Sequence, residues 1–226
     1  MLQIMRGRET RVKNILYRLL QNGYDGLTGG RSMARTLEFD YDKAIDKATR
    51  VFWKNGYSGT SLRDLLKAIG IGEGSFYNTL KSKKQLYLEC LKRYNDTVGR
   101  RRAEALFSPS SAKEGVRGLF RTVLDDLDDP RTPRVCLLAR SVSSDVLAER
   151  DLQKFVQTNI ATFVGAFSNR LRSAKDTGEL PSDFDAEGVA KIIATYLQGL
   201  FGTALLSYDR SQLERQVDLF LTSLGL

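Results

Sequence analysis

The sequence predicts an all-α fold, and three observations carry the prediction. Apolar residues recur three and four positions apart in segment after segment beyond residue 41, the spacing of one helix face. Runs rich in Val, Ile and Thr, alternating and bounded by turns, are missing, and there are only four prolines. Cap-type residues and glycines fall at the ends of the periodic segments, where helices start and stop.

The first element is expected over residues 42–55. Asp40 or Asp42 caps it, Ala44, Ile45, Ala48, Val51 and Phe52 form its buried stripe, and Gly56 ends it. Trp53 falls either in that core or at a seam with a later segment. Thr60 and Ser61 are N-cap types, Asp64 sits near the positive helix start, and Leu62, Leu65, Leu66 and Ile69 follow at helical spacing. Gly70 and Gly72 break the pattern, since glycine tolerates the positive φ of a helix end. A second short helix is expected over residues 73–80, with Phe76 and Leu80 turned inward. Ser75, Tyr77, Asn78 and Thr79 give it a small, hydrogen-bonding outer face. Ser82, with Gln85 three residues on, has the pattern of a capping box for a long helix over residues 83–106. Leu86, Cys90, Leu91 and Tyr94 are its apolar side, and Arg100, Arg101 and Arg102 read as a solvated patch.

A helix, a glycine-containing turn and a second helix with a polar outer face make a helix-turn-helix, which lays its second helix in the DNA major groove. Any helical hairpin would share the periodicity. The shortness of the second helix, its polar but weakly charged outer face, and Lys81, Lys83 and Lys84 just behind it favour the DNA-binding reading.

The run from Ala44 to Leu86 resembles the DNA-binding domain of the TetR family of bacterial transcriptional regulators. Ala48, Phe52, Gly56-Tyr57, Thr60-Ser61, Gly70-Ile71, Gly74-Ser75-Phe76-Tyr77, Leu80 and Ser82-Lys83 with Leu86 carry the resemblance. Leu80 departs from it, standing where the family usually has phenylalanine, and keeps an apolar anchor. The resemblance implies that Gly74, Ser75, Tyr77, Asn78 and Thr79 face DNA. It also implies that Thr60 and Lys83 bind phosphate, with Ser61 beside them. Asn78 and Thr79 lie where the family varies, so the operator is not named.

Beyond residue 87, helices are expected over residues 113–127, 135–146, 151–175, 186–206 and 211–224. The acidic run Asp125–Asp129 reads as a solvated helix end, and PRVCLLARSVSSD is similar to a segment of some effector domains of the family. Residues 186–206 are apolar over a wide arc, more than the one stripe an amphipathic helix needs. The resemblance implies that the last two helices pair with their copies in a two-fold homodimer, assigned here to Ile193, Leu197, Leu200, Phe201, Leu205 and Phe220. A central core helix of a monomer is the other reading.

Charge separates the chain into parts. Residues 1–32 hold six Lys/Arg against two Asp/Glu, and residues 33–94 twelve against seven. The remaining seventeen against eighteen leave the rest of the +8 chain almost neutral. A basic module beside a neutral one is the footprint of nucleic-acid binding by one part only. Residues 1–32 are expected to be a basic, weakly ordered extension, because Gly23, Gly26, Gly29 and Gly30 come after a stripe too short to hold a helix alone. Either translation begins at Met33, or this extension is an arm on the DNA. Residues 33–87 are assigned to DNA binding and 88–226 to effector binding and dimerisation.

No histidine occurs in the sequence, which removes Ser-His-Asp and Cys-His catalysis and the usual zinc sets, so neither an enzyme, a metal nor a cofactor is expected. Two cysteines make no disulfide framework, no long uninterrupted apolar run calls for a membrane, and a reducing cytoplasm fits. Cys136 invites a redox reading, because a helix start and Arg134 or Arg140 would lower its pKa. The alternatives are a buried core thiol, or reversible ligand binding in a pocket lined by aromatics of residues 155–201, Phe163 and Phe167 among them. The expected function is a homodimeric repressor that binds a palindromic double-stranded operator and leaves it when a small-molecule effector binds. The alternative is an architectural, nucleoid-associated dimer with weak sequence preference and no effector.

Overall fold

A computed structural model describes residues 40–226, and the expectations for residues 1–32 and Met33 lie outside them. The described residues form helices and connecting turns, without strands, as predicted. Helix α1 runs Tyr41–Asn55, capped by Asp40, whose Oδ1 accepts from the Lys43 N–H at 3.0 Å. Helix α2, Leu62–Ile69, starts in a reciprocal capping box. The Ser61 N–H donates to Asp64 Oδ2 at 3.0 Å, and the Asp64 N–H donates to Ser61 Oγ at 3.1 Å. Gly70 ends α2 in the left-handed region at φ 86. Helix α3 is Glu73–Leu80 and helix α4 is Lys83–Tyr94. Ser82 caps α4 one way only, through the Gln85 N–H.

The predicted helix over residues 83–106 exists, but a π-turn at Asn95–Gly99 divides α4 from α5, Arg100–Phe107. One extra residue in the turn rotates the downstream helix back by about 100°. Arg102 and Leu106 therefore continue the inward row of Leu86, Cys90 and Tyr94. This corrects the reading of a solvated arginine patch: the Arg102 side chain is largely buried against Asp126, while Arg100 and Arg101 are exposed. Asp126 likewise corrects the solvated acidic run, since it is itself buried in α6, Ala112–Asp128.

The segment predicted as one helix over residues 135–146 is two single turns, α7 at Leu137–Arg140 and α8 at Ser144–Leu147. Serine hydroxyls compete for the backbone there. Ser141 Oγ donates to the Leu137 carbonyl at 2.7 Å and pairs with Tyr87 Oη at 2.7 Å. Helices α9 (Arg150–Asp176), α10 (Ala186–Leu206) and α11 (Arg210–Ser223) complete the chain.

Helices α1–α4 make the N-terminal unit around Phe52, Leu65, Phe76, Leu80, Leu86 and Tyr87. Arg93 of α4 grips Asp46 of α1 through Nε at 2.7 Å and Nη2 at 3.1 Å. In the second unit α5 packs on α6, α9 on α10, and α11 on α6. Helix α10 is long and apolar enough to span a membrane by composition, yet its buried stripe is part of the common core. That stripe contains Ile193, Leu197, Leu200 and Phe201, at most 7% exposed within one chain. Phe220 stacks on Tyr196 of the same chain, with centroids 3.7 Å apart. Ile193, Leu197, Leu200 and Phe201 are therefore core within one chain, and Phe220 is partly buried against it. Of the six assigned to dimerisation, Leu205 alone is largely exposed, at 51%. The wide apolar arc does face two ways, but the outer side is Ile192, Leu205 and Leu206, with Leu219 of α11.

Candidate DNA-reading helix and effector cavity

Helix α3 is held by two side chains and offers the rest. Phe76 and Leu80 are buried, at 0% and 3% exposure. Gly74, Ser75, Tyr77, Asn78 and Thr79 are all exposed, as the spacing predicts. A Cβ on Gly74 would meet nothing within 4 Å, so nothing in the described fold calls for glycine there. The Tyr77 ring stands edge-on to Phe76 at 5.4 Å, which props its hydroxyl outward. The helix leaves through a tight γ-turn centred on Lys81, where the Ser82 N–H donates to the Leu80 carbonyl at 2.8 Å. Lys81 sits there at φ 67, a strained setting for a residue with a Cβ.

The candidate phosphate residues divide. Ser61 is exposed at the start of α2. Lys83 is half-buried, its ammonium 4.7 Å from the centre of the Tyr57 ring, and partial burial lowers its pKa. Thr60 corrects the expectation. It is fully buried, and its hydroxyl donates to the Gly56 carbonyl at 2.7 Å, closing the turn that precedes α2.

A cavity of about 320 Å³ opens in the second unit, between the π-turn with α5, helix α6, the α7 segment, α9 and α10. Its wall is mostly apolar, including Leu106, Leu119, Val123, Phe163, Leu197 and Phe201. Cys136 and Phe163 line it as proposed from sequence. Phe167 does not; it is fully buried behind Phe163, with ring centroids 4.7 Å apart. Arg140 does not either. Its Nη1 donates to the carbonyls of Trp53 and Lys54 at 2.9 and 2.8 Å, capping the end of α1. Arg134 lies over the Tyr208 ring at 4.4 Å. The two arginines invoked to activate Cys136 are thus both occupied elsewhere, and the helix that starts after Cys136 is a single turn.

Sequence reasoning missed the polar side of this cavity. Arg102 lines it while bound to Asp126, through Nε at 3.1 Å and Nη2 at 2.8 Å. Tyr94 lines it with a buried hydroxyl that makes no formed hydrogen bond among the described residues and has only the Cys136 thiol, a weak acceptor, beside it. Burial pushes that phenol well above its usual value, so it is a donor at neutral pH. Asn95 Nδ2 donates to Asn159 Oδ1 at 2.8 Å across the cavity wall. Gly99 lines it too, and a Cβ there would fall 2.5 Å from Asn95 Oδ1. The four-residue row that continues through Arg102 was the signal available in the sequence.

The residue 135–147 segment joins the two sites. One side of it, Cys136, Leu138, Ala139 and Val142, is cavity wall. The other grips the N-terminal unit. Trp53 Nε1 donates to the Val135 carbonyl at 2.5 Å, and Ser58 donates to Asp145 Oδ2 from its N–H at 3.0 Å and its hydroxyl at 2.6 Å. Trp53 is thus a seam residue. It also packs edge-on against the cavity-lining Tyr94 at 5.0 Å.

Comparison with known proteins places this arrangement. The family described as "Bacterial regulatory proteins, tetR family" matches residues 44–90, which span α1–α4 almost entirely. The chain is 32% identical over 193 residues to the HTH-type transcriptional regulator YezE of Bacillus subtilis (strain 168), covering 85% of this chain and all of that protein. It is 25% identical over 197 residues to the HTH-type transcriptional repressor ComR of Escherichia coli (strain K12), covering 87% of this chain and 92% of ComR. Among solved structures, a cysteine mutant of the TetR family regulator CifR, complexed with 26-bp double-strand operator DNA, superposes with a TM-score of 0.78. The identity is 31%, over 83% of this chain and 98% of that one. Helix-turn-helix, all-helical second unit and full-length likeness agree: the chain belongs to the TetR family of bacterial transcriptional regulators, and is not an enzyme.

Proposed function

We propose that this protein is a homodimeric repressor that binds a palindromic operator and is released from it by a small molecule seated in the cavity. The observation that carries the reading is the residue 135–147 segment, cavity wall on one side and clamp on α1 and its turn on the other. A ligand that fits only one placement of this wall shifts the placement of the reading unit, and so the spacing of two half-sites. An architectural DNA binder without an effector has no use for such a cavity.

Gly74, Ser75, Tyr77, Asn78 and Thr79 read the groove, and Ser61 and Lys83 hold phosphate; Thr60 is left out by its burial. The second copy covers Ile192, Leu205, Leu206 and Leu219, an apolar surface that a lone chain leaves in water. The protein acts in the cytoplasm, where its DNA is.

The test is selection of bound fragments from a genomic library, followed by sedimentation of the protein with and without the selected DNA. A palindromic sequence and a dimer at micromolar concentration are expected. A monomer, or fragments with no shared sequence, would sink the reading.

A further inference from the structure

The cavity states a preference about the charge of what it holds. Among the described residues no Asp, Glu or Lys lines it, and Arg102 is the one lining side chain that carries a charge at neutral pH. Asp126 does not fully neutralise that side, because Arg101 binds the other carboxylate oxygen, Oδ1. Two guanidinium groups therefore share one carboxylate. Arg102 and Asp126 side chains are 11% and 10% exposed and Arg101 57%, so water screens the Arg101 side of the excess and leaves the cavity-side guanidinium the less screened. At the same wall, the Tyr94 hydroxyl, in a residue 1% exposed, makes no formed hydrogen bond among the described residues and has only the Cys136 thiol, a weak acceptor, beside it. A buried donor left without a good acceptor is unfavourable, and one that lies just under the wall of a cavity is completed by a ligand acceptor once the wall shifts around it. The rest of the wall is mostly hydrocarbon.

We propose that the cavity takes a small apolar carboxylate, its charged end at Arg102 and Tyr94 and its hydrocarbon part against Leu106, Leu119, Phe163 and Leu197. A cation finds no counter-charge in the described lining. A neutral molecule with one acceptor satisfies Tyr94 but leaves the arginine excess, whereas a carboxylate answers both through charge-assisted hydrogen bonds. The inference rests on the ligand-released reading above only for its regulatory meaning; the binding chemistry stands on the cavity alone.

The experiment is calorimetric titration of the full chain with 4-phenylbutyrate and octanoate, each beside its primary amide. Operator release by the same compounds is measured in parallel. The acids are expected to bind at least about tenfold more tightly than the amides, the scale of a hydrogen bond to a charged group. Arg102→Gln is expected to abolish that preference. Tyr94→Phe, which keeps the ring and its packing on Trp53, is expected to weaken the acids about tenfold, so the test survives if Arg102→Gln does not fold. Amides binding as tightly as acids, no acid binding at millimolar concentration, or acids indifferent to Tyr94→Phe would each overturn the proposal. Acid binding without operator release keeps the proposal and removes the ligand-released reading. Equal release by amide and acid does the reverse.

Discussion

The two units of this protein treat polar groups in opposite ways. In the body of the first unit, from α1 to the start of α4, the core is closed and apolar, and the polar side chains that reach it, such as Thr60 and Tyr87, have their partners in place. Ser61, Asp64 and Ser82 cap helix starts at or near the surface. In the second unit, and at the end of α4 that reaches into it, the interior holds an open cavity, a largely buried arginine sharing one carboxylate with a neighbour, and tyrosine hydroxyls at 94 and 196 without partners among the described residues. The first unit is finished by folding; the second keeps unmet interactions. A reading head has to be rigid to hold α3 at a fixed pose. A sensing unit that were fully satisfied would have nothing left to offer a ligand.

The sharpest test of that contrast is to truncate one aromatic in each unit. Phe76→Ala empties a packed core and is expected to destabilise the protein by about 3 to 5 kcal/mol in urea unfolding, with operator binding lost. Phe163→Ala enlarges a space that already exists and is expected to cost roughly 1 to 2 kcal/mol. Equal losses would break the comparison.

Next in size is the buried charge. Asp126→Ala leaves Arg102 without its partner and is expected to cost about 3 kcal/mol or more. Ser61→Ala, the loss of a cap, is expected to cost about 1 kcal/mol. Thermal or urea unfolding of the two variants decides whether the interior arginine or the surface cap matters more.

Within the reading unit the effects divide by kind. Asn78→Ala is expected to relax base preference at one operator position, by about 1 to 3 kcal/mol, because asparagine pairs with adenine edges. Lys83→Met is expected to weaken all sequences alike and to reduce the salt slope by about 1. An unchanged selected sequence in Asn78→Ala would show that Asn78 reads no base.

The smallest effect belongs to the joint between the units. The hydroxyls of Ser143 and Ser58 beside Asp145 hold its carboxyl low, at about 2. An unfolded aspartate titrates near about 4, so this stabilisation is complete above that pH and is lost as pH falls towards about 2. The group is partly exposed and screened, which limits the contribution to under about 1 kcal/mol. Ser58→Ala should therefore lower stability slightly at pH 7 and not at pH 2. A deficit of the same size at both would mean the contact is not electrostatic.

Much of this was legible in the sequence, and the legible part is local. The caps at Asp40 and Ser61, the stop at Gly70, and the inward pair Phe76 and Leu80 act over four residues or fewer, and each appears where its spacing puts it. The misread residues depend on contacts that spacing does not show. Thr60 reads as a phosphate binder until its hydroxyl is seen closing its own turn. Arg140 reads as an effector or thiol partner until it is found on the carbonyls of α1, more than eighty residues earlier.

The sequence by itself determined the all-helical class, the reading helix with its exposed and buried faces, and the family, because hydrophobic period and helix capping are written in neighbouring residues. Only the tertiary structure decided which apolar side of α10 is core and which is surface, since both sides satisfy the same period. It alone brought Tyr94, Arg102, Asp126 and Cys136 together, through a π-turn that no composition signals and that turns an arginine from water into the wall of a cavity. A helix specifies its own axis, whereas the direction in which it faces is set by what packs against it.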